Sequence, residues 1–301
     1  MKNLFFLLLT TALVFSACDK EEENNEPANG NNNGNNTEQI KGCIDEEALN
    51  FNEAANTDDG SCKYVEAQQM ALINKLTATW CPPCGGWGWD LFEDIVDQAS
   101  DKAILMGTYG SSTSDYFNVT ADAFKKSFAP TAGWPAFCAN GENYTVYSQN
   151  GGIYTDQTRD NIIAKVNEEY NKEADISLAF KLNDNGGNVD IEGKVKAFNT
   201  LDGDYTLGFY VLENGVKGYQ AGHPSGTQAE HKYLLRGSIN DAPFGNELAS
   251  GGISGDTQIE INESLIKNND WNWDNCQVVA IIWKKVGIKY YYVNGAKASN
   301  W

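Results

Sequence analysis

Apolar residues over 67–173 recur with two alternating spacings. Short apolar runs at 70–77 and 103–109 have the composition of buried strands. The segments 85–99 and 157–172 instead place apolar residues every three or four positions, as in helices with one buried face. Together with a shorter helix and a strand between them, these elements predict one compact α/β unit.

From residue 174 onward the apolar period changes to two. Ile176, Leu178 and Phe180 alternate with polar or small residues, and similar runs follow between Gly- and Asn-rich turns. Many short alternating strands without helices predict an all-β antiparallel, Ig-like sandwich. The run 278–283 is apolar on both faces, so we expect that strand to be central or covered.

The N-terminus has the pattern of a lipoprotein signal peptide. Lys2 precedes an apolar core at 4–15 that is too short to span a membrane as a helix. Ser16-Ala17-Cys18 then resembles a bacterial lipobox, in which Cys18 becomes the acylated first residue of the mature chain. Secretion with cleavage after Ala17 is the alternative, and both outcomes export the chain.

The residues after Cys18 bear on the final location. The tract 19–23 (Asp-Lys-Glu-Glu-Glu) resembles the lysine-plus-acidic tract of surface lipoproteins in Bacteroidetes. We therefore expect a lipid-anchored protein of the outer membrane, on the cell surface or on the periplasmic face. Residues 24–39 are rich in Asn and Gly without periodicity, which predicts a flexible tether.

The patterns predict five consecutive parts of the chain. They are a lipoprotein signal peptide (1–17), a tether (18–39), a short disulfide-closed Asp/Asn-rich segment (40–66), the α/β domain (67–173) and the β-sandwich (174–301).

The charge of the chain excludes some partners. The formal net charge is −19, from 22 basic and 41 acidic residues. Such a surface repels nucleic acid and anionic lipid, so we expect no nucleic-acid partner. Attachment to the membrane must then come from the lipid at Cys18.

Trp80-Cys81-Pro82-Pro83-Cys84, between the first predicted strand and helix, carries the candidate chemistry. A thiol at a helix N-terminus is stabilised as the thiolate, so Cys81 is the candidate attacking group. Cys84 lies one helical turn further and could resolve a mixed disulfide formed by Cys81.

The 67–173 region resembles a thioredoxin fold. Trp-Cys-Pro-Pro-Cys is a familiar active-site variant of that fold, and Trp134-Pro135 matches its cis-proline facing the Cys pair. The resemblance implies that Pro135 belongs to the catalytic site and that Trp80 and Trp134 contact the substrate.

The whole architecture resembles the Bacteroidetes lipoprotein family named after outer membrane protein 28. Residues 231–236 (His-Lys-Tyr-Leu-Leu-Arg) are similar to the His…Leu-Arg signature of that family. The resemblance covers about 67–301 and implies a redox fold whose physiological substrate is undefined.

Two features depart from efficient thioredoxins. The position six residues before the first Cys, a buried acid in that fold, is Lys75. Gly85, Gly86 and Gly88 occupy the first turns of the active-site helix, where each costs roughly 1 kcal/mol relative to Ala. The helix is therefore expected to start late or to fray, which would stabilise a thiolate less.

Trp80, Trp87, Trp89 and Trp134 fall near the Cys pair or the proline in this fold. They could form an apolar platform for an unfolded or peptide substrate. Packing of two or three of them in the core is the alternative, and it is the commoner role of tryptophan.

The other cysteines have separate expected roles. Cys43 and Cys62 bracket a short segment and are expected to pair as a structural disulfide. Cys138 and Cys276 could bridge the two domains; Cys138 could instead shuttle electrons or remain a buried free thiol.

The 43–62 segment closely resembles a short repeat of secreted Bacteroidetes proteins, which ends in Asp-Asp-Gly-Ser-Cys. Its oxygen donors could hold a calcium ion, but their spacing differs from an EF-hand loop, so turn and capping roles are favoured. These donors are Asp45, Asn50, Asn52, Asp58 and Asp59. His223 and His231 lack further ligands, so we expect no metal site there and no other cofactor.

Two functions fit the sequence. The first is an outer-membrane lipoprotein with thioredoxin-like thiol–disulfide oxidoreductase activity on the thiols or disulfides of exported proteins or peptides. The alternative is a non-enzymatic surface binding or adhesion lipoprotein in which the Cys81–Cys84 pair is structural. A zinc half-site would need a second pair of ligands, which the sequence does not offer nearby.

Overall fold

The structure is a computed structural model that describes residues 38–149 and 152–300. The predicted signal peptide, the lipidation residue Cys18 and the tether up to residue 37 lie outside the described residues. Residues from Gln39 onward belong to one compact unit.

The described strands and helices follow in chain order. The strands are β1 (Lys41–Gly42), β2 (Thr57–Asp58), β3 (Ala71–Thr77), β4 (Ala103–Tyr109), β5 (Ala136–Ala139), β6 (Glu142–Asn143), β7 (Ile176–Asp184), β8 (Asn188–Ala197), β9 (Leu201–Asp202), β10 (Asp204–Glu213), β11 (Val216–Gly218), β12 (Ala229–His231), β13 (Leu234–Ser238), β14 (Asn246–Ala249), β15 (Gly252–Ile253), β16 (Gln258–Ile266), β17 (Cys276–Val286) and β18 (Lys289–Lys297). The α-helices are α1 (Pro82–Gly85), α2 (Trp87–Ala99), α3 (Val119–Phe128) and α4 (Thr155–Tyr170). Short 3-10 turns cover Gly226–Gln228, Ile239–Asp241 and Trp273–Asn275.

The structure contains the elements that the local hydrophobic patterns predict. The runs at 70–77 and 103–109 are β3 and β4, and every residue of both strands is buried. Helix α3 begins at an Asn118 cap, whose side chain accepts a hydrogen bond from the Ala121 N–H. The strand predicted to be central is β17, which lies between β10 and β18.

One large mixed sheet runs through most of the molecule. Its strand order is β18-β17-β10-β13-β4-β3-β5-β6, with β14 also paired to β10. Strands β3 and β4 are parallel, and β13 joins β4 in parallel through the pairing of Leu234 with Gly107. That contact makes the sheet continuous between the first and second halves of the chain.

The expected fold class, an α/β thioredoxin-like domain followed by an all-β Ig-like sandwich, is wrong. The molecule is mostly β, and β3, β4 and β5 share one sheet with β10, β13, β17 and β18 instead of forming a sheet of their own. Periodicity predicts a strand and its buried faces, but it does not say which strands are neighbours. The sequence pattern therefore could not predict that β4 pairs with β13, a strand from far along the chain.

The two faces of the large sheet are covered differently. Helix α3 packs on one face, where Phe124 lies 5.7 Å from Trp283 between ring centroids. On the other face, α2 and α4 cover β3, β4 and β5. The same face of β10 and β17 is covered by a second sheet of order β16-β8-β7, with Phe180 and Phe209 5.5 Å apart. The Cys81–Cys84 turn follows directly after β3.

Candidate functional site

Cys81 and Cys84 form a disulfide at the end of β3. Cys81 caps helix α1, because its sulfur accepts a hydrogen bond from the Cys84 N–H at 3.2 Å. Pro82 and Pro83 occupy the first helical positions, where a missing N–H costs nothing and the fixed φ suits a helix. The turn is therefore preset by its own sequence.

The helix after the turn is interrupted, as the glycines predict. Helix α1 has only 4 residues, and Gly86 then takes φ −94° and ψ −120°, outside the helical range. Helix α2, with 13 residues, begins at Trp87. Cys81 thus precedes a single turn rather than the long helix, and the stabilisation of a thiolate by aligned peptide dipoles is correspondingly weaker.

The two sulfurs are shielded from solvent. Cys81 is 2% exposed and Cys84 is fully buried, in a small cluster with Ala78 against which Trp134 packs. Trp80 is 44% exposed, and its indole N–H donates to the Ser111 hydroxyl. Both cysteines therefore present very little surface to an external thiol.

Pro135 lies beside the helix rather than free at the surface. The Trp134–Pro135 peptide bond is cis, and Pro135 is buried. A Cβ on Gly88 would lie only 2.5 Å from Pro135 Cγ, so the glycine permits the close packing of α2 on the proline. Lys125 places its ammonium 5.1 Å from the Trp134 ring centroid.

Residues 219–224, which we call the strap, cover the disulfide turn. Gln220 is fully buried, and its side-chain Nε2 lies 3.2, 3.4 and 3.1 Å from the carbonyl oxygens of Ala78, Thr79 and Cys81, so its two hydrogens are shared among these acceptors. The Ala221 N–H donates to the Thr79 carbonyl at 2.8 Å. Sequence reasoning missed the strap, because a Gly-rich stretch without periodicity carries no sign of what it will contact.

Two glycines allow the strap and the turn to meet. A Cβ on Gly85 would lie 2.3 Å from the Ala221 carbonyl oxygen, and one on Gly222 would lie 2.1 Å from the Pro82 carbonyl oxygen. Gly222 also has φ +80°, which favours glycine. Gly85 therefore has a packing role besides weakening the helix. In the sequence, this glycine was the one feature that indicated a close approach of another backbone segment.

Lys75 is buried beneath the site among aromatic rings. Its ammonium lies 4.5 Å from the Trp89 ring centroid and 5.4 Å from that of Phe92. Burial lowers the pKa of Lys75 to about 7, although the Glu93 and Asp90 carboxylates oppose this effect. The side chain is therefore only partly charged near neutral pH, and it supplies no carboxylate base.

His231 is a second buried titratable group near α2. Its Nδ1 lies 2.5 Å from the Tyr109 hydroxyl, and its ring centroid lies 5.3 Å from that of Trp89. Burial, with the nearby Lys75 charge, lowers the pKa of His231 to about 4, so the imidazole is neutral at neutral pH. The Gly218 backbone lies against the imidazole and opposes this lowering of the pKa, but within the described ranges no residue meets full hydrogen-bond geometry at Nε2.

Cys138 and Cys276 form no bridge; both are free thiols. Cys138 is buried on β5, and burial raises the pKa of its thiol to about 12. Such a thiol is unreactive at neutral pH, which agrees with the inert alternative.

The 40–66 segment is closed by the Cys43–Cys62 disulfide. Asn50 accepts from the Lys63 N–H and Asp45 accepts from the Tyr64 hydroxyl, whereas most of the oxygen donors of the segment accept hydrogen bonds within local turns. Examples are Asp45 from the Glu47 N–H, Asn52 from Ala54, Asp58 from Gly60 and Asp59 from Ser61. Among residues 38–149 and 152–300, no three His, Cys, Asp or Glu side chains are grouped to hold a metal ion. Over the same residues, no helix is long and apolar enough to cross a membrane.

Comparison with known proteins gives one family match and several similar structures. Residues 149–294 match the family described as outer membrane protein Omp28. The chain is similar to HBP35 of Porphyromonas gingivalis, with 15% identity, a TM-score of 0.59 and coverage of 77% of this chain and 75% of that one. No curated protein matches the chain.

Two further structures are less similar. A protein from Agrobacterium tumefaciens has 9% identity, a TM-score of 0.44 and coverage of 76% of this chain and 93% of that one. A domain of the outer membrane lipoprotein Omp28 from Porphyromonas gingivalis has 17% identity, a TM-score of 0.26 and coverage of 42% and 89%.

These matches bear on location and fold. The likeness to HBP35 extends over most of the described chain and concerns the fold alone. The family match confirms the expected export to the outer membrane. Over residues 149–294, this chain is thus similar to the Omp28 outer membrane proteins.

Proposed function

We propose that this protein is a non-enzymatic binding lipoprotein of the outer membrane in which the Cys81–Cys84 disulfide is structural. The observation that carries this proposal is the burial of both cysteines, at 2% and 0% exposure, in a turn that the strap contacts. Thiol–disulfide exchange requires a thiolate to approach a sulfur along the S–S axis, and cysteines this deeply buried offer little surface for that approach.

An exposed aromatic surface beside the disulfide supports a binding role. Trp80, Phe117 and Tyr219 are 44%, 38% and 47% exposed. The hydrogen bond from Trp80 to Ser111 and the bond from the Thr79 N–H to the Ser114 hydroxyl hold the Trp80 turn against the 111–117 loop. Large aromatic rings on a rigid support are typical anchors at protein interfaces, and the ligands in this proposal are exported proteins or peptides.

The location extends the proposal. Acylation of Cys18 would anchor the body through the Asn/Gly-rich tether, and we place the binding face on the cell surface. Protease added to intact cells should then degrade the protein. Protection until the outer membrane is permeabilised would move it to the periplasmic face.

The absence of turnover is tested by insulin reduction with dithiothreitol. We expect the wild type to reduce insulin no faster than dithiothreitol alone, and the Cys81→Ser variant to behave identically. A wild-type rate above that background, lost in Cys81→Ser, would refute the structural role of the pair.

Thiol–disulfide exchange is the second candidate. It is favoured by one observation: Trp134 packs against the pair, and Pro135 lies against Gly88, four residues after Cys84. In this reading Cys81 attacks and Cys84 resolves, which requires the strap to leave the turn.

A further inference from the structure

The strap is a separate element held at both ends. It follows β11, which pairs with β12, and it leads into the 3-10 turn Gly226–Gln228. Between these ends, the hydrogen bonds to the 78–81 backbone all come from Gln220 and Ala221. His223 of the strap adds a ring contact with Trp89 of α2, with centroids 4.5 Å apart. These few contacts hold the strap against the turn.

The fit of the strap leaves no room for another chain. Gly222 and Gly85 bring two backbones so close that even one methyl group would overlap a carbonyl oxygen. The strap lies against the Thr79, Cys81 and Pro82 carbonyls, which come before, at and after Cys81 along the chain, and Cys81 is 2% exposed. A strap in this position restricts the approach of an attacking group to Cys81.

The docking is tight but incompletely paired. The Gln220 Oε1 atom is buried and accepts no hydrogen bond from any residue in the described part of the chain. A buried carbonyl oxygen without a donor disfavours the docked state, since water would satisfy it once the strap is released. The free-energy difference between the docked and the released strap is therefore smaller than it would be for a fully hydrogen-bonded segment.

We propose that the strap is an autoinhibitory contact, which keeps the Cys81–Cys84 disulfide from external thiols and exposes it when displaced. The proposal goes beyond the binding function, because it gives the protein a latent reactivity that its resting state lacks. A partner that lifts the strap would open the site.

The reaction of the exposed pair is balanced with a dithiol. A thiolate of the dithiol attacks one sulfur of the pair, which forms a mixed disulfide and expels the other cysteine as a thiolate. The second thiol of the reagent, as its thiolate, then attacks the mixed disulfide and expels the remaining cysteine. The reagent becomes a cyclic disulfide, and both cysteines, once protonated, are thiols; two electrons have moved from the reagent to the protein.

The test measures how fast dithiothreitol reduces the pair in the folded full-length protein. Samples are quenched with N-ethylmaleimide at intervals, and alkylation of Cys81 and Cys84 is quantified by peptide mass spectrometry. The variants are Gln220→Ala, which removes the hydrogen bonds that Nε2 shares among the three carbonyls, and Gly222→Ala, whose methyl group would overlap the Pro82 carbonyl. Gln228→Ala, an exposed position between the strap and β12, is the matched control.

We expect Gln220→Ala and Gly222→Ala each to speed reduction of Cys81–Cys84 by about tenfold, with Gln228→Ala at the wild-type rate. The Cys43–Cys62 disulfide is the internal control, and its rate should not change. Wild-type rates in both strap variants would overturn the proposal. Equal acceleration of both disulfides would also overturn it, because the opening would then be global.

The outcomes separate this inference from the proposed function. Insulin reduction by the wild type would refute the structural role of the Cys81–Cys84 pair but leave the strap's effect on the rate to stand. Unchanged reduction rates in the variants, with an inactive wild type, would refute the strap alone.

Discussion

The two disulfides of the described chain stand in opposite surroundings. The 40–66 segment has β1 and β2 of only 2 residues each, and its turns are satisfied by local side chains. The Cys81–Cys84 turn is instead bound by Gln220, 142 positions from Ala78 along the chain. In the first region a covalent bond substitutes for a core that is too small. In the second, distant packing determines whether the bond can react.

The largest expected effect concerns the packed region. Replacing Lys75 with Met should raise the free energy of unfolding at pH 7, because a partly charged group no longer has to be buried. The folded pKa of about 7 lies below the unfolded value of about 10.4, so the unfolded wild type binds more protons between these values and its stability rises with pH there.

The free energy of unfolding of Lys75→Met should exceed that of the wild type at pH 7, and this difference should shrink by on the order of 4 kcal/mol from pH 7 to pH 10. Urea unfolding at several pH values measures it, with the exposed Lys289→Met as control. A pH-independent difference would show that the Lys75 amine is not desolvated.

The next effect concerns the covalently closed region. Removing the Cys43–Cys62 bond by a double replacement with Ser should destabilise the 40–66 segment by about 3 kcal/mol, as expected for a loop of this length. Hydrogen exchange should show lost protection over 40–62 and unchanged protection in β3. Loss of protection in both would mean that the 40–66 segment stabilises the rest of the fold, so the two regions would not be independent.

A smaller effect tests packing near the Cys pair. Gly88→Ala should cost about 1–3 kcal/mol, because its methyl group would meet Pro135 Cγ at 2.5 Å. Gly133→Ala is the matched control, since no atom lies within 4 Å of its Cβ position. Thermal unfolding compares the two variants, and equal midpoint temperatures would show that Pro135 shifts to accommodate the methyl group.

The smallest effect concerns the hydrogen bonds of Asn50 in the 40–66 segment. Asn50 donates to the Ser61 carbonyl and accepts from the Lys63 N–H, both at 2.8 Å. Asn50→Ala should cost about 1 kcal/mol in local stability. Faster exchange of the Lys63 amide would report it, whereas Glu53→Ala, an exposed position without a described side-chain bond, should leave that amide unchanged.

Local features of this molecule could be predicted from sequence because they depend on neighbouring residues. The buried strands β3 and β4, the late start of α2 and the turn roles of the oxygen donors near Asp45 are examples. The strap and the continuous sheet could not, since Gln220 and Leu234 make their decisive contacts with residues more than 100 positions away. Their spacing is not periodic, and only the glycines at close approaches, such as Gly85 and Gly107, hint at them.

The link between β18 and the start of β3 has a consequence for biosynthesis. The Met70 N–H donates to the Asn294 side chain, and the Met70 carbonyl accepts from Tyr292, over separations of 224 and 222 positions. An exported chain crosses the inner membrane N-terminus first, so the start of β3 lacks these two partners until residues 292–294 have emerged. During that interval the edge of this part of the core is open to periplasmic proteases.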